Sequence, residues 1–417
     1  MSTASRSETG SALTSPSAAA SELATPAAVP GGRAEGGSRA PLTKIPFNHP
    51  FATGDEFSCI SAAIDNLHLS GNGPFSELCA QWLEESLGCK RALLTSSCTS
   101  ALEMAMLLAD IGPGDEVIMP SFTFVTTASS VALRGGVPVF VDIREDTLNL
   151  DERQVDAAIT SRTRAIMPMH YAGVACAMEG ISRIARRHEL IVIEDAAQGI
   201  SASYRGRSLG TIGDLGCISF HETKNLICGE GGALLVNRPD WVERAEVIQE
   251  KGTDRARFLR GQIDRYTWVD LGSSFLMSEI SAAFLWAQIQ HAEEILARRM
   301  AIWSAYHERL AALEATEALR RPTIPVDRYH NAHMYYILLE DRASRDRLIE
   351  GLANQNIHAL FHYIPLHSAP AGERFGRTAG ELTVTDRMSE RLLRLPLWVQ
   401  MSESDVNRVC CAIEQTL

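Results

Sequence analysis

The chain has 417 residues, 45% of them hydrophobic and 22% charged, with a net charge of −12. This is a globular composition, long enough for two or three structural units and a large core. The negative balance repels nucleic acid and anionic lipid, and no apolar run approaches the ~20 residues of a membrane span.

Residues 1–42 are rich in Ala, Ser, Thr, Gly and Pro, with few large apolar groups. Such a segment buries too little surface to offset chain entropy, so a disordered tail is expected. It lacks the basic start and apolar stretch of a secretory signal. Helical patterns follow at 55–67 and 76–87. Then apolar runs at 92–96, 116–120, 137–142, 165–169 and 190–195 alternate with helical stretches at 99–109, 123–134, 152–159 and 178–188. Short apolar strands alternating with helices predict a mostly parallel sheet covered on both faces. Runs at 216–220 and 233–236 have no long helix between them, which predicts hairpin-like strands appended to that sheet. A helix after Asn237 leads to Lys251, an Arg-rich polar stretch spans 252–266, and a long helical pattern covers about 277–313. A smaller unit closes the chain: strand 334–339, helix 345–354, strand 358–361 and helix 403–413. The expected fold class is α/β, with a large domain at 43–270, a helical connection at 271–320 and a small α/β domain at 321–417.

The nine cysteines are odd in number and form no CxxC pair, so no metal site is expected. Reduced thiols in a cytoplasmic protein are the expectation. Of 39 basic residues only four are lysine: Lys44, Lys90, Lys224 and Lys251. Lys44 sits at the edge of the tail. Lys90 and Lys251 lie at helix ends in polar company. Lys224 lies between two strands, in the segment SFHETKN (219–225), beside glycines 229, 231 and 232 that permit close backbone approach.

Ligands of open parallel sheets gather at the carboxyl ends of the strands. After the first strand, Ser96 to Leu102 opens a helix with small and hydroxyl residues. These bind a phosphate or simply cap the helix. After the second strand, Phe124 covers a planar ligand or packs in the core. After the fifth, Asp195 ends an apolar strand; it pairs with a buried cation or caps a helix. Phosphate-binding amides, a stacking aromatic, an acid for a ring nitrogen and an isolated lysine together match the contacts of pyridoxal 5'-phosphate. No GxGxxG follows the first strand and no GxxxxGK[ST] occurs, which argues against nicotinamide and P-loop nucleotide sites.

The segments IPFN (45–48), LTSSCT (94–99), GDEVIMPSFTF (114–124), HYAGVAC (170–176), EDAAQG (194–199), SFHETKN (219–225), GSSF (272–275) and FHYIPLH (361–367) carry a resemblance. The chain resembles the sugar aminotransferases of the DegT/DnrJ/EryC1/StrS family from about Ile45 to the C-terminus. The likeness is strongest to the dTDP-4-amino-4,6-dideoxygalactose transaminase group. The resemblance implies the aspartate-aminotransferase-like fold (type I of the pyridoxal-phosphate transferases). It also implies a homodimer with shared active sites. By position, Lys224 would attach the cofactor covalently and act as the catalytic base. Asp195 would pair with the pyridine nitrogen, and Gln198 would meet the ring hydroxyl. Phe124 would stack on the ring, and Cys98, Thr99 and Ser219 would cradle the phosphate. Ser274 stands where many members place an asparagine on the neighbouring subunit's phosphate. Tyr171, His333, Tyr335, His362 and Tyr363 fall in segments that the family places near substrate.

The implied reaction moves the amino group of L-glutamate, by way of pyridoxamine phosphate, to C4 of dTDP-4-dehydro-6-deoxy-D-glucose. The expected product is dTDP-4-amino-4,6-dideoxy-D-galactose. The alternatives are the C4 epimer dTDP-4-amino-4,6-dideoxy-D-glucose, a 3-aminotransferase, and a cofactor-binding regulator without turnover. The family's dehydratases carry histidine in place of the lysine, so Lys224 argues against that activity.

Overall fold

The apolar runs pair into an eight-stranded sheet. The computed structural model describes residues 43–417; the tail expected at 1–42 lies outside the described residues. The strands are β1 (Arg91–Thr95), β2 (Glu116–Pro120), β3 (Val137–Val141), β4 (Thr163–Ile166), β5 (Ile191–Asp195), β6 (Ser203–Tyr204), β7 (Arg207–Ser208), β8 (Leu215–Ser219), β9 (Gly232–Val236), β10 (Arg328–Tyr329), β11 (Tyr335–Leu338), β12 (Arg377–Thr378) and β13 (Leu392–Leu395). The first helices are α1 (Glu56–Asp65), α2 (Pro74–Leu87), α3 (Cys98–Leu108), α4 (Val125–Leu133), α5 (Glu152–Ala158), α6 (Met178–His188), α7 (Val242–Gln249) and α8 (Arg255–Leu259). The rest are α9 (Glu279–Gln290), α10 (Ala292–Arg309), α11 (Ala311–Ala315), α12 (Arg342–Asn354), α13 (Pro370–Phe375), α14 (Thr383–Arg391) and α15 (Glu403–Thr416).

The large sheet runs β1-β9-β8-β5-β4-β2-β3-β12. Every pair is parallel except the two that β9 makes, with β1 and with β8. The expected hairpin strands β8 and β9 pair antiparallel within this sheet, with β9 inserted between β1 and β8. Side chains alternate across the sheet. Leu94, Ile118, Ile166, Val192 and Leu235 pack with Leu83 of α2, Ile181 of α6 and Leu285 of α9. Leu93, Val117, Ile193, Cys217 and Leu234 pack with Met104 of α3 and Ile248 of α7. Both faces are dry, which is why the strands read as continuous apolar runs.

β11 pairs antiparallel with β13, whereas residues 358–361 form no strand and contribute one bridge, Leu360 to Arg394. β11 alternates between two cores. Tyr335 and Ile337 pack with Tyr306, Leu352 and Ile413; Tyr336 and Leu338 pack with Phe122, Tyr171 and Met388. The long helical pattern at 277–313 is three helices, broken at His291 and Leu310. By contacts, the described residues 43–417 form one compact unit. Among the described residues no helix is long and apolar enough to cross a membrane.

Candidate active site

Because β1, β2, β5 and β8 are parallel, the residues that follow them emerge at one edge of the sheet. There they line a cavity of about 510 Å³. Cys98 and Thr99 reach it from the start of α3, Phe124 from the loop after β2, and Asp195 and Gln198 from the end of β5. Ser219 ends β8 and Lys224 follows it, and His333, His362 and Tyr363 come from the C-terminal segment.

The start of α3 is capped by Ser97, whose Oγ accepts the Ser100 N–H at 3.1 Å. Cys98 and Thr99 hold the first two amides of the helix, which helix geometry leaves without an intrahelical acceptor. The capping and anion-binding readings thus fall on different residues. β9 begins against this turn. A Cβ at Gly232 would lie 2.5 Å from the Cys98 nitrogen, so only glycine admits the approach. Burial pushes the Cys98 thiol well above its usual pKa, with the Asp195 charge adding to it, so it is no thiolate nucleophile.

Asp195 caps no helix. Its Oδ2 accepts the Thr127 hydroxyl at 2.7 Å and its Oδ1 accepts the Ala197 N–H at 3.2 Å. Gln198 Oε1 accepts the Ala172 N–H at 2.7 Å and Nε2 donates to the Tyr363 hydroxyl at 2.9 Å. One Nε2 hydrogen remains for a ligand. Asn331 Nδ2 ties the same turn to the C-terminal segment by donating to the Gln198 and Ile200 carbonyls. Gly173 lets Asn331 come so near: its φ is +76°, and a Cβ there would collide with Asn331 Oδ1. Behind this turn His170 Nδ1 accepts the Cys176 N–H at 3.1 Å. That bond assigns the proton to Nε2, which faces Glu194 at 2.8 Å.

Lys44, Lys90 and Lys251 are exposed, and only Lys224 enters the cavity. Water reaches part of its side chain through the cavity mouth. Desolvation by the surrounding protein lowers the pKa of its amine, Cys98 and Asp195 work against that shift, and Arg394 adds to it. The neighbouring Asn225 holds the loop: its Oδ1 lies 3.0 Å from His333 Nδ1 and its Nδ2 donates to the Asn331 carbonyl at 2.7 Å. Burial keeps His333 neutral by lowering its pKa well below the usual value, with the Lys224 charge next in effect. Buried Arg299 of α10 fixes the same turn by donating to the Ala332 and His333 carbonyls at 3.1 and 2.7 Å.

Two expected contacts, Tyr171 and Tyr335, fall elsewhere, and Ser274 is expected at the neighbouring subunit's site. Tyr335 is fully buried away from the cavity, stacked on Tyr306, because β11 alternation turns it into the other core. Tyr171 is also fully buried, and its hydroxyl lies 2.8 Å from His362 Nδ1, so it supports a lining residue. Ser274 is exposed and bridges Glu250, outside the cavity of its own chain. Two arginines of the lining, Arg299 and Arg394, are not among the site residues expected from the sequence. The signal for Arg394 was a lone arginine inside an apolar run, Leu392 to Leu397.

The donor set fits pyridoxal phosphate: free helix amides for an anion, a carboxylate for a protonated ring nitrogen and an amine for the aldehyde. Phe124 adds an aromatic face, 55% exposed at the cavity wall. A parallel-sheet fold with these groups at the carboxyl edge defines a pyridoxal-phosphate-dependent transferase. Residues 52–414 match the DegT/DnrJ/EryC1/StrS aminotransferase family, and the chain belongs to it. It is similar to GDP-perosamine synthase of Caulobacter vibrioides, at 33% identity over 90% of this chain and 99% of that one. It is also similar to the spore coat polysaccharide biosynthesis protein SpsC of Bacillus subtilis, at 32% identity over 88% and 96%. Among solved structures it resembles the aminotransferase TlmJ of Streptoalloteichus hindustanus, with a TM-score of 0.81 and 28% identity over 89% of this chain and 98% of that one. The protein is thus a pyridoxal-phosphate-dependent aminotransferase.

Proposed function

We propose that the enzyme transfers the amino group of L-glutamate to C4 of dTDP-4-dehydro-6-deoxy-D-glucose, giving dTDP-4-amino-4,6-dideoxy-D-galactose. The observation that carries this reading is the convergence of Lys224, Asp195 and the first amides of α3 on one cavity. Pyridoxal phosphate, when bound, supplies the electron sink and carries the amino group between the two substrates. Lys224 attaches the cofactor. Its freed amine takes the proton from Cα of the donor and later delivers one to C4 of the sugar. The lowered pKa leaves more of that amine unprotonated near neutrality than an ordinary lysine, whose pKa is ~10.4. Asp195, held by Thr127 and Ala197, offers its carboxylate to the ring nitrogen. Gln198 meets the ring hydroxyl, Phe124 covers the ring, and Cys98, Thr99 and Ser219 hold the phosphate. His333, His362 and Tyr363 line the substrate side.

We assign cofactor binding to residues 43–270, the connection to 271–320 and the closing of the substrate side to 321–417. A homodimer brings Ser274 to the neighbouring site. The nine unpaired cysteines suit a cytoplasmic enzyme. The test is to incubate the enzyme with L-glutamate and the dTDP-keto sugar and to read the product by NMR. A small H3–H4 coupling is expected for the galacto product. A large one assigns the gluco epimer, and no C4 amine rejects the reading. A GDP-linked keto sugar is the second reading, favoured by the similarity to GDP-perosamine synthase; the same assay with that nucleotide decides between them.

A further inference from the structure

Residues 361–365 wall one side of the cavity without belonging to a sheet or a helix. His362 and Tyr363 join the lining from this segment. Among the described residues the amides of 361–364 donate no hydrogen bond, and residue 365 is proline. The segment is therefore a strap held at its two ends. At one end Leu360 and Arg394 exchange backbone bonds of 3.1 and 2.8 Å, and the Arg394 side chain donates to the Phe361 carbonyl at 2.9 Å. At the other end the Leu366 N–H donates to the Ser121 carbonyl at 3.1 Å, and the His367 N–H donates to Ser121 Oγ at 3.0 Å. The His367 ring closes the same contact: Nδ1 lies 2.8 Å from Ser121 Oγ, and Nε2 lies 3.4 Å from Asp386 Oδ1. Ser121 directly follows β2 and is fully enclosed. Its oxygen already accepts the His367 amide, and among the described residues its proton has no acceptor besides Nδ1. An enclosed hydroxyl proton needs one, so it goes to Nδ1, and the ring's own proton sits on Nε2 facing Asp386. Serine, histidine and aspartate are also the members of a hydrolytic triad, but no substrate reaches an enclosed Ser121, so the group holds rather than attacks.

We propose that His367 and Ser121 form a clasp that positions the wall of the cavity facing the nucleotide sugar, with His367 a positioning residue that acts through His362 and Tyr363. The inference rests on the reading that those two residues line the substrate side. Each of their side chains makes a single hydrogen bond among the described residues, His362 with the Tyr171 hydroxyl and Tyr363 with Gln198. Those bonds turn the rings, whereas the path of the backbone between them is set by the ends of the strap. The clasp also ties that path to the cofactor side. From Ser121 the chain runs on to Phe122, whose ring centre lies 5.5 Å from that of Tyr363, and then to Phe124 at the cavity wall. Opening one end frees five residues that no ladder holds. Sugar binding must then order them at each encounter, and that entropy is lost from affinity. The amino donor reacts beside Lys224 and Asp195, which stand after β8 and at the end of β5. Its half-reaction therefore depends on the strap much less.

The test separates the half-reactions in the holoenzyme. His367→Leu keeps the bulk of the side chain and removes the acceptor for the Ser121 proton. Its KM for the dTDP-keto sugar is expected to rise ~10-fold, while the glutamate half-reaction, followed by cofactor absorbance without sugar, keeps its wild-type rate. His367→Asn places Oδ1 where Nδ1 stands and should restore most of the KM. Ser121→Ala should reproduce the leucine effect, and it carries the test if His367→Leu does not fold. An unchanged sugar KM in Ser121→Ala and His367→Leu overturns the proposal. Equal losses in the two half-reactions overturn it too, since they assign the contact to stability alone. If the wild-type enzyme aminates no nucleotide sugar, the proposed function fails, and the clasp is read instead from amide exchange at Leu366 and His367. Exchange there is expected to be slow in wild type and faster in Ser121→Ala; equal exchange in the two proteins overturns the clasp.

Discussion

A carboxylate at the end of an apolar strand is costly unless donors surround it. At Asp195 the Thr127 hydroxyl and the Ala197 amide meet that cost. The two bonds also fix the carboxylate's direction, so that its charge faces the cavity. Replacing Asp195 by Ala should cut turnover by about 10²–10³ and weaken cofactor retention on dialysis; a variant with normal turnover would contradict the assigned role. Much of the site was legible at this scale. Lys224 stood out because the chain has only four lysines, and Asp195 because its strand is otherwise apolar. What was not legible depended on direction. Tyr335 and Tyr336 are adjacent aromatics, and only the strand register shows that Tyr336 packs beside Tyr171 while Tyr335 faces away. Arg394 was passed over because charge inside an apolar run reads as an interruption until the cavity is seen around it.

Among the elements, the edge of the sheet is held by a buried ion cluster. Glu116 begins β2 with its side chain fully enclosed. It accepts bonds from Arg377 of β12 at 2.9 and 2.7 Å, from Arg162 at 3.2 and 2.7 Å and from the Thr160 hydroxyl at 2.7 Å. The Arg377 hydrogen bond outweighs burial, and the Glu116 pKa falls to about 2. A depressed acid pKa contributes stability that is fully present above the unfolded value, ~4.3, and is lost as pH falls through about 2. The drop amounts to about 3 kcal/mol. Thermal unfolding between pH 5 and pH 2 should therefore be steeper in wild type than in Glu116→Gln, which should be destabilised at neutral pH; parallel curves would contradict this. This cluster joins residues 116, 162 and 377, and no local pattern announces such a contact. For the same reason β12 and β13 are not among the expected strands, and the strand expected at 358–361 does not form. Four- or five-residue runs fix the existence of a strand, but pairing is a long-range choice. The insertion of β9 between β1 and β8 is of that kind, since hairpin signals do not say where the pair docks.

For the molecule as a whole, the exposed apolar surface has a consequence. Trp268 is 74% exposed, and Phe258, Leu259, Tyr266, Val269 and Leu271 are exposed along the same segment, which leads to Ser274. A patch of this kind on one chain marks a surface that another covers. With the dimer proposed above, light scattering should give twice the 45.6 kDa chain mass. The double variant Trp268→Glu and Leu271→Glu should shift toward monomer and lose turnover. A fully active wild-type monomer would contradict the shared site. Fold class was legible because a sheet dry on both faces imposes its alternation on the sequence; the homodimer is expected from the resemblance alone, because an interface has no period.

The account turns on the Lys224 amine and its attachment to the cofactor. Borohydride reduction of the holoenzyme, followed by proteolysis and mass mapping, tests that directly. The pyridoxyl adduct is expected on the peptide containing Lys224 and absent in Lys224→Ala, which should also have no turnover. An adduct on another lysine, or none in a wild-type enzyme that retains activity, would contradict the assignment of this site.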